Sequence, residues 1–474
     1  MPVLMSGFCA PEARKFVLIA AILASSMGFI DGSVTAIAMP AIRTTLGATL
    51  MQAQWVHNAY MLTLASLILV GGAMGDRFGL ARMFSGGIAL FVVASLTCAL
   101  APTPEFLIAA RLIQGVGAAV MVPGSLAIIA RAYPRKDRGR AIGIWAAASA
   151  MTTALGPIIG GLALSIGGPD MWRWIFAVNL PMGALALYML LSKLKTDQSQ
   201  PDTPIDIAGA VLATASLFAL AWGLTASEHN SFWLIGSAVG VAMFLWIESH
   251  SPQPMMPLSM FRNRVFSAAN LMAFTLYCAL NIVFFYMPMT LIAGWGLNEI
   301  TASAAFAPMS IMMFALSTRM GRLADRFGAA PLLSLGSVCV ALGYGTIALV
   351  APYQLFLQGV LPAMCLVGLG MSMIVAPLSA AVMGAADEHQ SGIASAINNA
   401  VTRISGLVSV AAMGGVITIS YVAAGGNESF GVTSDVAGHN AAMSAAFAIA
   451  AWVAAGLSAI SAVIAWGAMG SRKA

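Results

Sequence analysis

Long apolar runs alternate with short polar breaks along almost the whole chain, from residue 16 to residue 469. A helix that crosses the hydrocarbon core of a membrane needs about 20 mostly apolar residues, and each run can supply one. The breaks are rich in Gly, Pro and charged residues, which end apolar helices. The pattern therefore predicts fourteen membrane-spanning helices, at residues 16–40, 51–73, 82–101, 105–131, 140–166, 172–192, 206–225, 231–248, 265–293, 300–318, 331–351, 355–383, 392–422 and 441–469.

The composition supports an all-α polytopic membrane protein. Hydrophobic residues make up 60% of the 474 residues and charged residues only 8%, whereas a soluble chain carries roughly 25% charged residues. A bilayer resolves this conflict because apolar side chains can face lipid. The net charge of +5 does not indicate nucleic-acid binding, since the basic residues sit in short loops, where they orient the chain.

The loop charges also predict the orientation. If the N-terminus is cytoplasmic, eighteen Lys and Arg residues fall in inside loops and only two, Arg43 and Arg173, in outside loops. This bias is what the positive-inside rule requires of correctly placed spans. An even number of spans then places both termini in the cytoplasm. The expected location is the inner, cytoplasmic membrane.

One loop sequence occurs twice. Gly75-Asp76-Arg77-Phe78-Gly79 follows the second span, and Ala324-Asp325-Arg326-Phe327-Gly328 follows the tenth. A loop repeated in matching topology is typical of transporters built from two related halves. We therefore predict an N-terminal six-helix bundle at 1–195, a linker with two inserted helices at 196–262, and a C-terminal six-helix bundle at 263–474.

Asp31 is the one acid that lies deep within a predicted span. A carboxylate at membrane depth is costly unless it is paired or protonated, so this group can gain and lose a proton during transport. We interpret Asp31 as a proton-coupling residue. The alternative is a carboxylate that is permanently hydrogen-bonded to its helix neighbours.

Two cations also fall within spans, Arg111 in the fourth and Arg403 in the thirteenth. A guanidinium does not lose its proton and must find an acceptor. Asp31 is the obvious partner for Arg111, which would then modulate proton release; a purely structural clamp is the alternative. For Arg403 the sequence indicates no partner, and either a structural role or a place in the cavity fits.

Glycine motifs mark two candidate conformational elements. In the fifth span Pro157 removes a backbone hydrogen bond, and Gly156, Gly160 and Gly161 allow close helix packing, which suits a hinge or seal between the halves. The two DRFG loops, with Gly75, Asp76, Arg77, Gly79, Asp325 and Arg326, suit a latch at the cytoplasmic ends of the halves.

Polar and aromatic residues of the second and fourth spans are candidates for the substrate path, together with Arg403. For His57 the alternative is a structural histidine with satisfied hydrogen bonds. The other candidates are Trp55, Asn58, Tyr60 and Gln114.

These motifs together resemble the major facilitator superfamily, and specifically its fourteen-helix drug:proton antiporter family, over essentially the whole chain. The similar segments are Asp31-Gly32-Ser33-Val34 through Pro40, residues 72–79, Arg111 with Gln114, Gly115 and Gly117, Gly156-Pro157 with Gly160-Gly161, residues 172–181, and Leu258 to Arg264. The resemblance implies the superfamily's fold, a proton-coupling role for Asp31 and Arg111, and export in place of import.

The chain departs from the family pattern in two respects. Leu80 and Ala81 separate the second glycine of the loop motif from Arg82, where basic residues usually follow. No further acid is evident within spans nine to fourteen, although some family members have one. Dicationic substrates are therefore less expected than monocations or neutral lipophilic molecules.

The resulting hypothesis is a proton-driven antiporter, acting as a monomer, that exports lipophilic and often cationic small molecules. Its partners would be these substrates, protons and membrane lipid, and the proton gradient would replace any cofactor. The alternatives are an exporter of one endogenous metabolite, antibiotic or lipid, and a non-transporting membrane sensor. No Gly-Lys pair forms a phosphate-binding loop, and neither HExxH nor CxxC occurs, so the sequence predicts no ATP-driven pump, enzyme or metal site.

Overall fold

The computed structural model describes residues 9–194, 205–226, 230–252, 254–387 and 390–469. These residues form α-helices joined by turns, short 3-10 or π-helical segments and one longer loop at 424–438, with no strand among them. The α-helices are α1 (Arg14–Leu46), α2 (Leu50–Phe78), α3 (Leu80–Ala99), α4 (Pro104–Ala132), α5 (Arg135–Gly167), α6 (Trp172–Ala177), α7 (Asn179–Lys193), α8 (Ile207–Thr225), α9 (Asn230–His250), α10 (Arg264–Met289), α11 (Glu299–Ala304), α12 (Ala307–Phe327), α13 (Ala329–Val350), α14 (Leu361–Gly384), α15 (Ser391–Ala423) and α16 (His439–Met469).

The predicted spans coincide with these helices, which confirms the all-α membrane fold. In the described parts of the chain, thirteen helical segments are long and apolar enough to cross a membrane, and Leu155–Gly167 is a shorter apolar segment of α5. Two predicted spans each comprise two helices, α6 with α7 and α11 with α12. Large apolar side chains such as Ile166, Leu191 and Ile419 are exposed on the outside, as contact with lipid requires.

The helix ends define two ends of the molecule. We call the end with the two DRFG segments the basic end. There Gly79 and Gly328 join α2 to α3 and α12 to α13 with φ values of 98° and 85°, which glycine adopts without strain. At the opposite end Gly47 closes α1 with φ 64°, and Thr49 forms a capping box with Gln52 at the start of α2.

Helices α1–α7, the N-terminal set, and α10–α16, the C-terminal set, each pack mainly among themselves. In the N-terminal set α4 packs on α2 and α3, and α1 on α5. In the C-terminal set α13 packs on α14 and α16, and α10 on α16. The inserted helices α8 and α9 pack on each other, and α8 also contacts α2 and α15.

The division at 1–195, 196–262 and 263–474 remains a prediction, and most of its linker, at 195–204, lies outside the described residues. The C-terminal basic residues at 472 and 473 lie outside them as well.

The two sets contact each other mainly toward the opposite end. Every residue of α1 from Ser33 to Arg43 is buried there. By contrast, Met309 is the only buried residue of α12, which runs to the basic end. The two sets therefore pack closely at the opposite end and more loosely toward the basic end.

Candidate functional site

A buried ion pair joins α1 to α4 at the middle of the N-terminal set. Arg111 Nη1 lies 2.5 Å from Asp31 Oδ2, and the two side chains are 1% and 0% exposed. Gln114 Nε2 donates to Asp31 Oδ1 at 2.9 Å. Both carboxylate oxygens thus accept hydrogen bonds, which is the pattern that an ionised carboxylate prefers. The partner that the sequence suggested for Arg111 is the one that the structure shows.

The remaining neighbours fix Arg111 in place. Its Nε donates to the Val56 carbonyl at 3.1 Å, and its guanidinium lies over the Tyr60 ring, 4.2 Å from the centroid. Arg111 Nη1 also donates to Gln114 Oε1 at 2.7 Å. Because the cation has acceptors besides Asp31, it can remain ordered when the carboxylate is neutralised.

A second layer holds Gln114. Its Nε2 donates to Ser95 Oγ at 2.9 Å on α3, and Asn179 Nδ2 on α7 donates to the same oxygen at 3.2 Å. Sequence reasoning did not select Ser95, because a single Ser in an apolar helix carries no distinctive signal, and it noted Asn179 only as part of the family-like segment at 172–181 and not as a site residue. The cluster of Asp31, Arg111 and Gln114 therefore links five helices of the N-terminal set, namely α1, α2, α3, α4 and α7.

The face of α2 toward the C-terminal set is polar. Gln54, His57 and Asn58 share it, at the i, i+3, i+4 spacing of one helical face. Gln54 Nε2 donates to Tyr286 Oη on α10 at 2.9 Å and to the Val410 carbonyl on α15 at 2.5 Å. Gln54 was missed from sequence, although its position three residues before His57 was a usable signal.

His57 and Asn58 are buried, although polar atoms of both side chains lack hydrogen-bond partners among the described residues. The His57 ring packs edge-on against Phe285, with centroids 5.5 Å apart, and its Nε2 has no hydrogen-bond partner in the described parts of the chain. Asn58 is fully buried, and neither its Oδ1 nor its Nδ2 has a partner there. Burying polar atoms without hydrogen bonds is costly, and a ligand that entered between the sets would supply the missing partners.

The other path candidates lie elsewhere. Trp55 Nε1 donates to Thr225 Oγ1 at 3.1 Å, and its ring packs on Phe218 and Trp222 of the inserted helix α8. Tyr60 lies against Arg111, and Gln114 binds Asp31. Of the candidates on α2 and α4, His57 thus contacts the C-terminal set, Asn58 shares the α2 face of Gln54 by its spacing, and the other three make their contacts elsewhere.

Arg403 lies on α15, which packs against α2 and α10. It is close enough for its charge to act on His57, Tyr60 and Tyr277. Its side chain is partly exposed, and its Nε is buried without a partner. Arg403 therefore belongs to the same inter-set surface as His57.

The glycines of α5 face two different helices. A Cβ on Gly156 would lie 2.3 Å from Ser33 Oγ, and one on Gly160 would lie 2.3 Å from Val34 Cγ1, both on α1 of the same set. A Cβ on Gly161 would lie 2.6 Å from the Glu299 carbonyl oxygen on α11 of the other set. Pro157 lies inside α5 among them. Of the three glycines, Gly161 is the one that packs at the seam between the sets.

The two DRFG segments occupy equivalent positions. Asp76 and Arg77 lie in the last turn of α2, and Asp325 and Arg326 in the last turn of α12. Each arginine lies over the ring of the following phenylalanine, at 5.5 Å for Arg77 and 5.2 Å for Arg326. Gly75 is buried against Leu80. Their action as a latch remains a prediction.

Arg43 connects the two sets by hydrogen bonds at the opposite end. Although the sequence placed it in a loop, it lies in the last turn of α1 and is 3% exposed. Its Nη2 donates to Ser429 Oγ at 2.9 Å, and its Nη1 donates to the Phe430 carbonyl, both between α15 and α16 of the C-terminal set. This guanidinium therefore bridges the two sets.

Replacing Arg43 with Ala is expected to open the opposite end. The substitution removes charge-assisted hydrogen bonds between the sets, each contributing about 1.5–3 kcal/mol, from the closed state alone. We expect Met289→Cys, a reporter at a fully buried site beside Gly431, to react at least about tenfold faster with a membrane-impermeant maleimide once Arg43 is replaced. The measurement uses a background in which the five native cysteines are replaced.

Arg173→Ala is the matched control for Arg43→Ala. Arg173 donates to the Ala99 and Ala101 carbonyls, at 3.0 and 2.7 Å, within the N-terminal set. Its loss is expected to leave the labelling rate unchanged. Equal rates in the Arg43 variant and the parent would show that this bridge does not hold the gate closed.

No group of three His, Cys, Asp or Glu residues within the described ranges is placed to hold a metal ion. The chemistry available at the site is therefore that of one ion pair, one further guanidinium and several neutral hydrogen-bonding groups.

Comparison with known proteins agrees with this architecture. The family model of the Major Facilitator Superfamily matches residues 21–410. The chain is 34% identical to the methylenomycin A resistance protein of Bacillus subtilis (strain 168) over 417 residues, covering 85% of this chain and 88% of that protein. It is 31% identical to the multidrug resistance protein Stp of Mycobacterium tuberculosis (strain CDC 1551 / Oshkosh) over 415 residues, covering 86% and 76%.

Among solved structures, a bacterial homologue of the human lysosomal transporter Spinster superposes with a TM-score of 0.71 at 15% sequence identity, over 98% of this chain and 99% of that one. At 15% sequence identity, this similarity shows a common fold and nothing further.

Proposed function

The chain belongs to the Major Facilitator Superfamily, and from this membership we propose that it exports lipophilic small molecules across the cytoplasmic membrane in exchange for protons. The observation that carries the proposal is the buried Asp31–Arg111 pair in a chain about one third identical to drug-resistance proteins. The sequence also suggested that substrates are often cationic. No enzymatic step or cofactor is part of the proposal, and one chain contains both helix sets, so a monomer suffices.

We place the basic end in the cytoplasm, because loops rich in Lys and Arg stay on that side. Both termini are then cytoplasmic. In this orientation the two sets pack closely toward the outside and more loosely toward the cytoplasm, so a substrate enters the cavity from the cytoplasm. Asp31 is paired with Arg111 in this state, as we expect once it has released its proton inward.

The proton acts through α1. Protonating Asp31 removes its charge, and the pair with Arg111 loses most of its strength. Arg111 stays bound to Gln114 and the Val56 carbonyl, so α1 is released relative to α4. Arg43 lies on the same helix about 18 Å away along the axis, with Pro40 between them. Asp31, which carries the proton, and Arg43, which closes the outer gate, therefore act on one helix, so that binding or release of the proton can change the state of the gate.

Expression in a bacterial host that lacks its own drug exporters tests the function. We expect the protein to raise the inhibitory concentrations of several unrelated lipophilic compounds severalfold and a protonophore to abolish this protection. Protection that persists with the gradient collapsed would contradict proton coupling. Normal membrane insertion without any protection would contradict drug export.

A dedicated exporter of one metabolite or antibiotic is the second candidate. It is favoured by the relative named for resistance to methylenomycin A alone. In the same assay this candidate predicts protection against one compound or its close analogues and no change for the rest of the panel.

A further inference from the structure

Arg403 is an intramembrane cation without a counter-charge. It forms no hydrogen bond or ion pair with any residue that the structure describes, and its buried Nε has no partner. An ionisable residue inside a membrane span is expensive, and it is retained where it serves transport or binding. A structural role would require an acceptor, and the described residues provide none.

Asp31, the acid of the site, does not neutralise the positive charge of Arg403. Asp31 is already bound by Arg111 and Gln114, so the pair of Asp31 and Arg111 is neutral as a unit. In the described part of the chain the charge of Arg403 acts on His57, Tyr60 and Tyr277, and none of these is an acid that ionises readily. The inter-set cavity therefore carries a net positive charge at Arg403.

The face of α2 that carries His57, on which the charge of Arg403 acts, offers hydrogen-bond donors. Neutral His57 and the Asn58 amide each carry N–H donors, and both side chains have unsatisfied polar atoms on the α2 face. The aromatic ring of Phe285 beside His57 provides an apolar wall. On α10, Asn281 Nδ2 already donates to the Tyr277 carbonyl at 2.7 Å, so its amide is oriented by its own helix.

We propose that Arg403, His57 and Asn58 form the polar part of the substrate site and that this site takes lipophilic molecules bearing a carboxylate or similar anionic group. The proposal rests on the export function proposed above and specifies its substrate class. A guanidinium matches a carboxylate with two parallel hydrogen bonds, and the donors of α2 complete the contact. A cationic substrate would meet like charge here.

The charge of the substrate determines how much the membrane potential contributes to export. If one proton enters for each molecule exported, an outgoing anion and an incoming proton both move positive charge inward. The membrane potential alone then drives export of an anion, whereas exchange of a monocation for one proton moves no net charge.

Binding to the full-length protein in phosphatidylcholine nanodiscs tests the site, with pyrenebutyrate, pyrenebutanol and pyrenebutyltrimethylammonium as probes of one skeleton and three charges. We expect the wild type to bind the carboxylate at least about tenfold more tightly than the alcohol, and the cation most weakly. Arg403→Gln should remove the preference for the carboxylate and leave the Kd of the alcohol within about twofold, whereas Arg403→Lys should restore part of the preference.

Arg264→Gln is the matched control, because it removes one exposed positive charge at the start of α10, outside the cavity. Equal Kd values for carboxylate and alcohol in the wild type, tighter binding of the cation, or an unchanged preference in Arg403→Gln would each overturn the proposal. Competition by phosphatidylglycerol would assign the site to a lipid headgroup and overturn the assignment to an exported small molecule. Charge-selective binding without export from vesicles would refute the transport function while leaving the site intact.

Discussion

Asp31→Asn is expected to abolish proton-driven accumulation of substrate in everted membrane vesicles while leaving substrate exchange intact. Asparagine keeps the shape of the side chain but cannot carry the proton. Each charge that crosses contributes roughly 2.3 kcal/mol per 100 mV, so loss of one coupled proton lowers the attainable accumulation ratio by about fiftyfold per 100 mV. Counterflow of labelled substrate, which needs no gradient, measures the remaining exchange.

The ion pair makes a second variant necessary for the Asp31→Asn experiment. With Asn at position 31, Arg111 becomes a buried cation without its counter-charge, and breaking one side of a buried pair costs about 3–5 kcal/mol. The double variant Asp31→Asn with Arg111→Gln removes both charges and should recover thermal stability without recovering proton drive. Arg111→Gln alone should be unstable, because it leaves the carboxylate unpaired.

Glu105→Gln is the matched control for Asp31→Asn, since Glu105 is an exposed acid at the opposite end of α4. It is expected to keep full accumulation. Full proton drive in a well-inserted Asp31→Asn protein would instead support the structural interpretation of Asp31, in which the carboxylate holds α1 to α4 and the proton binds elsewhere.

The ion pair is also the part of the site that the sequence predicts best. The N-terminal spans contain one deep acid and one deep base, and the cost of burying either alone forces them together. The spans are predictable for a similar reason, because an apolar run of about 20 residues has few other environments. Both features follow from a large free-energy cost, that of burying an unpaired charge or of exposing a long apolar run to water, and not from the details of side-chain packing.

The breaks within two spans were present in the sequence but not used. Pro181 lies in the first turn of α7, and Pro308 lies in the first turn of α12. Because proline has no backbone N–H, it cannot donate the hydrogen bond that would continue the preceding helix. By contrast, the direction of each α2 side chain was not predictable. Trp55 turns to the inserted helix α8 and His57 to α10, and this choice is made by tertiary neighbours that a single sequence does not place.

For the glycines of α5, too, the sequence predicts close packing but does not predict which helix each glycine faces. Composition indicated close packing at Gly156, Gly160 and Gly161, and all three are tightly packed. Which of them lies between the sets depends on the rotation of α5 about its axis. Of the three glycines, only Gly161 contacts α11 of the other set. Gly161 is therefore the one whose packing depends on closure of the opposite end.

Gly161→Ala is therefore expected to prevent closure of the opposite end and to reduce transport about ten- to hundredfold. The added Cβ would lie 2.6 Å from the backbone oxygen of Glu299 and 2.6 Å from Ser303 Oγ, and backbone cannot turn away as a side chain can. Overpacking of this kind costs about 1–3 kcal/mol, and the cost falls on the closed state alone, which shifts the population toward the outward-open state. Transport in vesicles and maleimide labelling of Met289→Cys measure the two effects.

Two variants on the same helix isolate the gate effect of Gly161→Ala. Gly143 has open space around it, so Gly143→Ala should change neither transport nor labelling. Gly160→Ala strains the packing of α5 on α1 within one set, so it should lower thermal stability without raising labelling at the opposite end. Because the strain at Gly161 is relieved when the sets separate, its variant should combine near-normal stability with faster labelling. Slow labelling in a stable but inactive Gly161→Ala protein would mean that the α5–α11 contact does not control the outer gate.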